Sequence, residues 1–399
     1  MILLSNYFSG IGAKRLSSVE INPGASNQHE FNGINEFRAI FGSDRIIFKG
    51  KFMYLDDNPN QIITEDGALT WYDARANHPT RTEYRLYYST NSIIANSSIG
   101  DLIVIGRTGE NELAIIVASE GSTAEQQIKW LFGLEEIANR FVLRDFASDD
   151  QVLNFAGKHI ISTLGFEIEE TVPDYLEQLL VKFGSAFPTT AIFSEFARST
   201  VEDVSAIEEP DTTLITWLER EELLFRTLEK YIVEQRLYEG FAGEVDNFIS
   251  YSLSVHNRRK SRAGHSFEHH LASIFEINEI LFSKGRKTER NNKPDFLFPT
   301  IENYHNEEFS TELLTMLGVK TSAKDRWRQV LSEADKIENK HLITLEPAIS
   351  NNQTEEMREQ NLQLVIPSSI QETYTENQQS HIIDLNEFIS LVKDRQQRN

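Results

Sequence analysis

Toward the C-terminal end, Lys293-Pro294-Asp295-Phe296-Leu297-Phe298-Pro299 opens a short apolar strand on an aspartate. Leu317-Gly318-Val319-Lys320 ends a second strand on a lysine, and Lys324-Asp325-Arg326-Trp327-Arg328-Gln329 and Glu333 follow. A carboxylate and an ammonium on neighbouring strands, with a second acid close behind, are the parts needed to hold a divalent cation, activate a water and stabilise a pentavalent phosphate. Each residue alone has a plainer reading. A Pro-Asp is common at strand edges, and a lysine ending an apolar strand can snorkel to the surface. The combination is more informative, because Glu333 falls on the helical spacing of Val330 and Ile337, and Glu268 on that of Leu271 and Phe275. Acids on apolar stripes are costly unless paired or bound to a cation. Residue types and spacing leave two readings open: phosphate chemistry around a cation, or a structural ion-pair network.

The elements that must position these residues form an α+β chain of two domains. At 399 residues the chain is too long for one typical core. Residues 1–165 read as a β-rich domain, with runs such as Arg45–Phe48, Tyr84–Tyr88, Asp101–Ile105 and Glu112–Val117 separated by turn signals at Asp66-Gly67 and Thr108–Asn111. A helix over Thr123–Leu134 follows, capped by Ser122 with Glu125 at the capping-box position. Residues 166–185 are expected to be a linker. Residues 186–399 open with helices over 213–238, 245–255 and 266–282. They then alternate strands at 295–298, 314–320, 341–345 and 362–366 with helices over 325–337 and 385–394, which implies a mixed central sheet. No cysteine occurs, which fits a reducing cytoplasm. The opening residues lack a basic leader, and no run approaches the roughly 20 apolar residues of a membrane span.

A net charge of −22 excludes a non-specific DNA coat. An enzyme needs only a locally positive cleft, since screening confines attraction to roughly 8 Å at physiological salt. Basic clusters at His256–Arg262, Lys284–Arg290 and Lys320–Arg328 flank the Pro-Asp and Lys elements.

From about Phe187 onward the chain resembles the catalytic domain of the EcoRII-type restriction endonucleases, within the wider Pro-Asp…(Asp/Glu)-x-Lys nuclease fold. The matching blocks are Ser254–Gly264 with Ser266 and Glu268, Asn292–Pro299, Tyr304, Val319–Thr321, Lys324–Gln329, Glu333–Lys336 and Val365–Ser369. The 25-residue gap from Asp295 to Lys320 is longer than in many relatives of the wider fold. The resemblance implies an α/β restriction-endonuclease-like fold and Mg²⁺-dependent, sequence-specific cleavage of double-stranded DNA, leaving a 5′-phosphate. Asp295 and Glu333 would bind the metal, with Glu268 a further acid on it or on its water. Lys320 would stabilise or help deprotonate the attacking water, and Tyr304 would lie near the scissile phosphate. Lys324, Asp325, Arg326 and Arg328 would read bases. Cationic donors suit guanine and a carboxylate suits cytosine, so this reader suits G·C pairs, and the resemblance implies a short site with a CC/GG core, as in CCWGG. Arg258, Arg259, Lys260 and Arg262 would contact phosphates. A palindromic site implies a homodimer, and the family context a prokaryotic cytoplasm.

The N-terminal domain resembles the family's DNA-binding effector domain, a B3-like barrel, more faintly. The resemblance rests on Lys14, Arg15, Ser26, Asn27, Gln28 and His29, with Arg75, Asn77 and Arg81 as a second arm. It implies a module that binds a second DNA copy and restrains the nuclease until it does. The competing functions are a non-catalytic DNA-binding regulator that kept the fold, and a metal-independent interaction protein. His265, His269 and His270 bracket Glu268 without a His-Glu-x-x-His signature, so zinc is not expected.

Overall fold

The computed structural model describes residues 2–21, 29–31, 34–58, 61–146, 151–168, 175–323 and 326–398. It divides into two compact units, Met1–Ile168 with Pro347–Asn352, and Glu169–Glu346 with Gln353–Asn399. The expected linker therefore carries structure. A helix spans Leu176–Phe183, because Leu179 is buried against Phe193, Phe196, Phe225 and Leu228.

The first unit is built on eight strands: β1 (Gly10–Arg15), β2 (Glu30–Phe31), β3 (Ile46–Leu55), β4 (Ile63–Asp73), β5 (Tyr84–Tyr88), β6 (Leu102–Gly109), β7 (Glu112–Ala118) and β8 (Val142–Asp145). Their order is β2-β5-β4-β3-β7-β6-β1-β8, antiparallel throughout except β3 beside β7. Alternate residues of β6 and β7 enter two separate cores. Leu102, Val104, Ala114 and Ile116 join one; Ile103, Ile105, Leu113 and Ile115 join the other. Burial on both faces explains why these strands are unbroken apolar runs and do not alternate. Among the described residues no ladder joins β2 to β8, so hydrogen bonding does not close the expected barrel.

Asp66-Gly67, expected as a turn, lies inside β4. Gly67 sits opposite Gly50, and a Cβ on Gly67 would come within 2.9 Å of the Phe52 ring. Glycine here makes room for an aromatic and does not reverse the chain.

The second unit carries the helices Thr190–Ser199, Pro210–Glu239 and Val245–Ile277. A mixed sheet of β9 (Ser283–Lys284), β10 (Phe296–Phe298), β11 (Thr315–Lys320), β12 (Lys340–Thr344) and β13 (Leu362–Val365) follows in the order β13-β12-β11-β10-β9. Strands β11, β12 and β13 run parallel, while β10 is antiparallel to both β11 and β9. The helices expected at 245–255 and 266–282 are one. No proline interrupts them, so the basic run 256–262 rides on a continuous helix. Its C-terminal half buries Phe267, Leu271, Ile274 and Phe275, and the Phe275 ring meets Phe296 and Phe298 edge-on. Asp211, at the start of Pro210–Glu239, accepts the backbone N–H groups of Ser368, Leu385 and Asn386 at 3.0–3.1 Å. One carboxylate thereby satisfies the orphan donors of two later helices. Among the described residues no helix is long and apolar enough to cross a membrane.

His341 on β12 is 3% exposed and packs edge-on to Phe388 at 5.2 Å. Burial, then the Arg395 charge, pushes it down to about 4 from 6.5. The unfolded chain takes up this proton first, so its stabilising share is complete above pH 6.5 and is lost as pH falls through 4. That share is about 3 kcal/mol. Thermal unfolding at pH 7 and pH 4.5 is expected to show a larger acid loss in the wild type than in His341→Met. Equal losses would reject the assignment.

Candidate active site

Asp295 leads directly into β10, and its backbone oxygen accepts the Gly285 amide at 3.1 Å. The pairing of Phe296 with Leu317 sets the register and brings Asp295 to the end of β11. There its Oδ2 accepts the Val319 N–H at 2.6 Å and the Lys320 ammonium at 3.0 Å. Both side chains keep about a fifth of their surface exposed, at 20% and 18%, so a ligand can reach them. The antiparallel pair β10–β11 thus converts two residues 25 positions apart into one charged unit.

Glu333 was expected on a helix over 325–337. The helix spans only Trp327–Leu331, and Glu333 lies in a bend past its end, followed by Ala334 in the left-handed region at φ 52°. Its Oε2 is buried without a hydrogen-bond partner. Burial first, and then the negative charge of Asp295, push the Glu333 carboxyl up to about 7; Lys320 and Lys340 pull the other way. Asp295, Lys320 and Glu333 therefore share one electrostatic environment. A half-buried acid facing a second carboxylate, with one oxygen unpartnered, is unfavourable unless a cation or proton joins it.

The packing that presents Glu333 depends on Gly318. A Cβ there would come within 2.8 Å of the Val330 side chain, so the glycine lets the helix Trp327–Leu331 lie directly on β11. Gly318→Ala is expected to push this helix outward, at a cost of about 1–2 kcal/mol. Lowered unfolding temperature together with reduced catalytic rate would be the signature. Unchanged values of both would show that the helix gives way freely.

The other expected site residues are placed differently. Glu268, on Val245–Ile277, is paired with Lys284 at 3.2 Å. Among the described residues no three His, Cys, Asp or Glu side chains gather so as to hold a cation. Tyr304 is fully buried. Its hydroxyl donates to Glu289 at 2.6 Å and accepts the Lys336 N–H at 3.2 Å, which leaves it no route to a phosphate in this conformation. Arg262, expected on phosphates, is turned inward: it is 9% exposed, lies 3.4 Å from Glu221, pairs with Glu222 and stacks 4.3 Å above Phe225. Arg259 pairs with Glu229 at 2.7 Å, Arg258 lies 4.5 Å over Phe187, and Lys260 is exposed.

Of the base-reading group, Lys324 and Asp325 lie outside the described residues. Arg326 is exposed at the entrance of Trp327–Leu331, and Arg328 is paired with Glu356 at 2.7 Å. In the first unit Ser26, Asn27 and Gln28 also lie outside the described residues. Lys14 is buried against Glu20 and Phe141, so it is not free for DNA. Arg15 is tied to Glu125 and to the Gly100 carbonyl. His29 lies 3.3 Å from the Thr90 hydroxyl. Arg75, Asn77 and Arg81 sit in an exposed loop between β4 and β5, where Arg75 pairs with Glu83.

Two residues near the site escaped the sequence reading. Lys340 on β12 is buried, bonds the Ile337 carbonyl at 2.6 Å and contributes charge near Glu333. Glu289 anchors the Tyr304 hydroxyl. An acid inside the basic run Lys284–Arg290 was the only available signal for it.

Residues 225–389 match the family model "EcoRII C terminal". A stretch of 183 residues is 45% identical to the type II restriction enzyme EcoRII of Escherichia coli, covering 46% of this chain and 45% of the relative. The chain thus spans under half the length of the curated relative it matches. Looser overlaps occur with metal-depleted Ecl18kI in complex with uncleaved, modified DNA (TM-score 0.45, 16% identity, 56% of this chain and 84% of that one). The PspGI–substrate DNA complex overlaps similarly (TM-score 0.45, 15% identity, 58% of this chain and 100% of that one). The matched segment contains Asp295, Lys320 and Glu333.

The donor set fits a hard divalent cation. Two carboxylates, one with an unpartnered oxygen, suit Mg²⁺, which keeps several waters and takes its remaining ligands from phosphate.

Proposed function

We propose that this chain is a type II restriction endonuclease that hydrolyses both strands of double-stranded DNA with Mg²⁺ held by Asp295 and Glu333. The observation that carries the reading is the Lys320 ammonium 3.0 Å from Asp295, both acting on the charge of Glu333, whose Oε2 is unpartnered. Support comes from the EcoRII C-terminal match around these residues. A bound Mg²⁺ would lower the pKa of a coordinated water and offset charge on the phosphate. The chain's own residues do the rest. Asp295, fixed by the Val319 N–H, holds the Lys320 ammonium in place to donate to a phosphate oxygen or the attacking water. Glu333, which feels the charges of both, would supply the second carboxylate.

The specific site is proposed as a short CC/GG palindrome of the CCWGG type, read by the segment 324–328. A homodimer would match its two-fold symmetry. Support for the dimer lies in the helical hairpin of the second unit. Burial along Pro210–Glu239 stops at Glu229 and resumes only at Arg262. Between them Leu237, Tyr238, Val245, Phe248, Ile249 and Leu253 are exposed, an unburied apolar set of the kind that marks interaction surfaces when contiguous. The N-terminal unit is proposed as the effector module, with Arg75, Asn77 and Arg81 toward a second DNA copy.

Incubating the protein with mixed plasmid DNA, with Mg²⁺ and with EDTA, and sequencing the fragment ends tests the core reading. Fragments with one common end sequence, formed only with Mg²⁺, are expected. Cutting in EDTA, or random ends, would contradict it. Stimulation of single-site cleavage by an added oligonucleotide carrying the site would support the effector role, and its absence would remove that role.

A further inference from the structure

We infer that Glu289 is a positioning residue for the cation site, acting through Tyr304 to hold the bend that presents Glu333; the inference rests on the nuclease reading above. Glu333 lies in a segment without regular structure, and the turn at Ala334 puts a non-glycine residue at φ 52°. Such a conformation is strained for a residue with a Cβ and persists only when its surroundings fix it. Side chains from outside the bend supply those constraints. Glu289 Oε2 accepts the Tyr304 hydroxyl at 2.6 Å and the Asp335 N–H at 3.2 Å. The Tyr304 oxygen in turn accepts the Lys336 N–H at 3.2 Å, and Lys336 Nζ returns to the Tyr304 carbonyl at 2.9 Å. Arg290 pairs with Asp335 at 2.9 Å, and Asn292 Nδ2 donates to the Ser332 carbonyl at 2.5 Å.

The segment is thus tied immediately before Glu333 and at the second and third residues after it, while the Glu333 Oε2 stays unpartnered. The same short piece, Glu289–Asn292, leads into Asp295. One segment therefore connects both carboxylates, and it fixes the place of Glu333 relative to Asp295. Of these ties Glu289 is the central one: it is the acceptor for a backbone amide of the bend and for the tyrosine that takes the next amide. Tyr304 consequently serves the site from beneath and does not touch the reacting phosphate.

The test uses the full chain. Mn²⁺ binding without DNA is followed by electron paramagnetic resonance for the wild type, Glu289→Ala, Glu289→Gln, Glu333→Ala and the Glu289→Ala/Glu333→Ala pair. Mn²⁺-supported plasmid cleavage by the wild type runs alongside. Outer-shell partners of metal ligands typically contribute about tenfold or more in affinity. Glu289→Ala is expected to weaken Mn²⁺ binding by about that factor, and Glu289→Gln, which keeps an acceptor oxygen, to restore most of it. On the Glu333→Ala background the Glu289 substitution should change nothing further, because the group it positions is gone. Wild-type affinity in Glu289→Ala, or an equal loss on both backgrounds, would overturn the inference while leaving the nuclease reading intact. Failure of the wild type itself to cut plasmid would overturn that reading, and the inference with it.

Discussion

Lys320→Ala is expected to lower the cleavage rate at least about a thousandfold, roughly 4 kcal/mol of barrier, while leaving DNA affinity within a few-fold. The ammonium is held 3.0 Å from Asp295 and remains partly exposed, so in the proposed reaction its distinctive contribution would be made when charge develops on the phosphate. Its removal leaves Asp295 with the Val319 N–H and little reason to move, so folding should be preserved. Single-turnover cleavage at saturating protein separates the chemical step from binding. A variant that binds weakly but cuts at the wild-type rate once saturated would show Lys320 to be a simple phosphate anchor. Retained cleavage at all protein concentrations would remove it from the site.

The second large effect is on stability. Arg262→Ala is expected to cost the second unit about 3–5 kcal/mol, because the Glu221 carboxylate, wholly buried, would lose its cationic neighbour. His270 lies 2.9 Å from Glu221, but burial lowers its pKa, so it does not replace a fixed positive charge. Arg198 Nη1 lies 3.2 Å from His270 Nδ1, which places the imidazole proton on the nitrogen facing Glu221. Glu221 feels burial first, then the His270 contact and hydroxyls of Ser194 and Ser266, with a net lowering of its pKa. The network crosses three helices, so its loss should be felt cooperatively. Urea unfolding would register the change as a lower midpoint with an unchanged slope. If Arg262→Ala instead unfolds like the wild type and loses salt-dependent DNA affinity, Arg262 swings outward to phosphates. Lys260→Ala, exposed on the same helix, is the matched comparison, with little stability effect.

Both results bear on how basic clusters should be read. The run Arg258–Arg262 looks uniformly cationic in one dimension. On a helix its members point in different directions, and two of them meet acids of the neighbouring helix Pro210–Glu239. The negative balance of the chain makes such internal pairing common. Lys14 and Arg15 are consumed in the same way by Glu20 and Glu125.

Local order alone determined a good deal here. The strand Tyr84–Tyr88 falls where its aromatic run placed it, the helix after Ser122 begins at its cap, and Asp295 and Lys320 meet because one opens and the other ends an apolar strand and the two strands pair antiparallel. These signals are short-range: propensity, capping chemistry and strand period act within a few residues. Tertiary structure alone decided the rest. The fusion of two expected helices into Val245–Ile277, the bend at Glu333, the Glu268–Lys284 pair, and the turning of Arg262 and Tyr304 into the interior each depend on a partner remote in sequence. A charged or hydroxyl group can satisfy itself with water, phosphate or another side chain at similar net free energy. Which of these it takes is set by what the fold brings within 3 Å, and no local pattern records that distance.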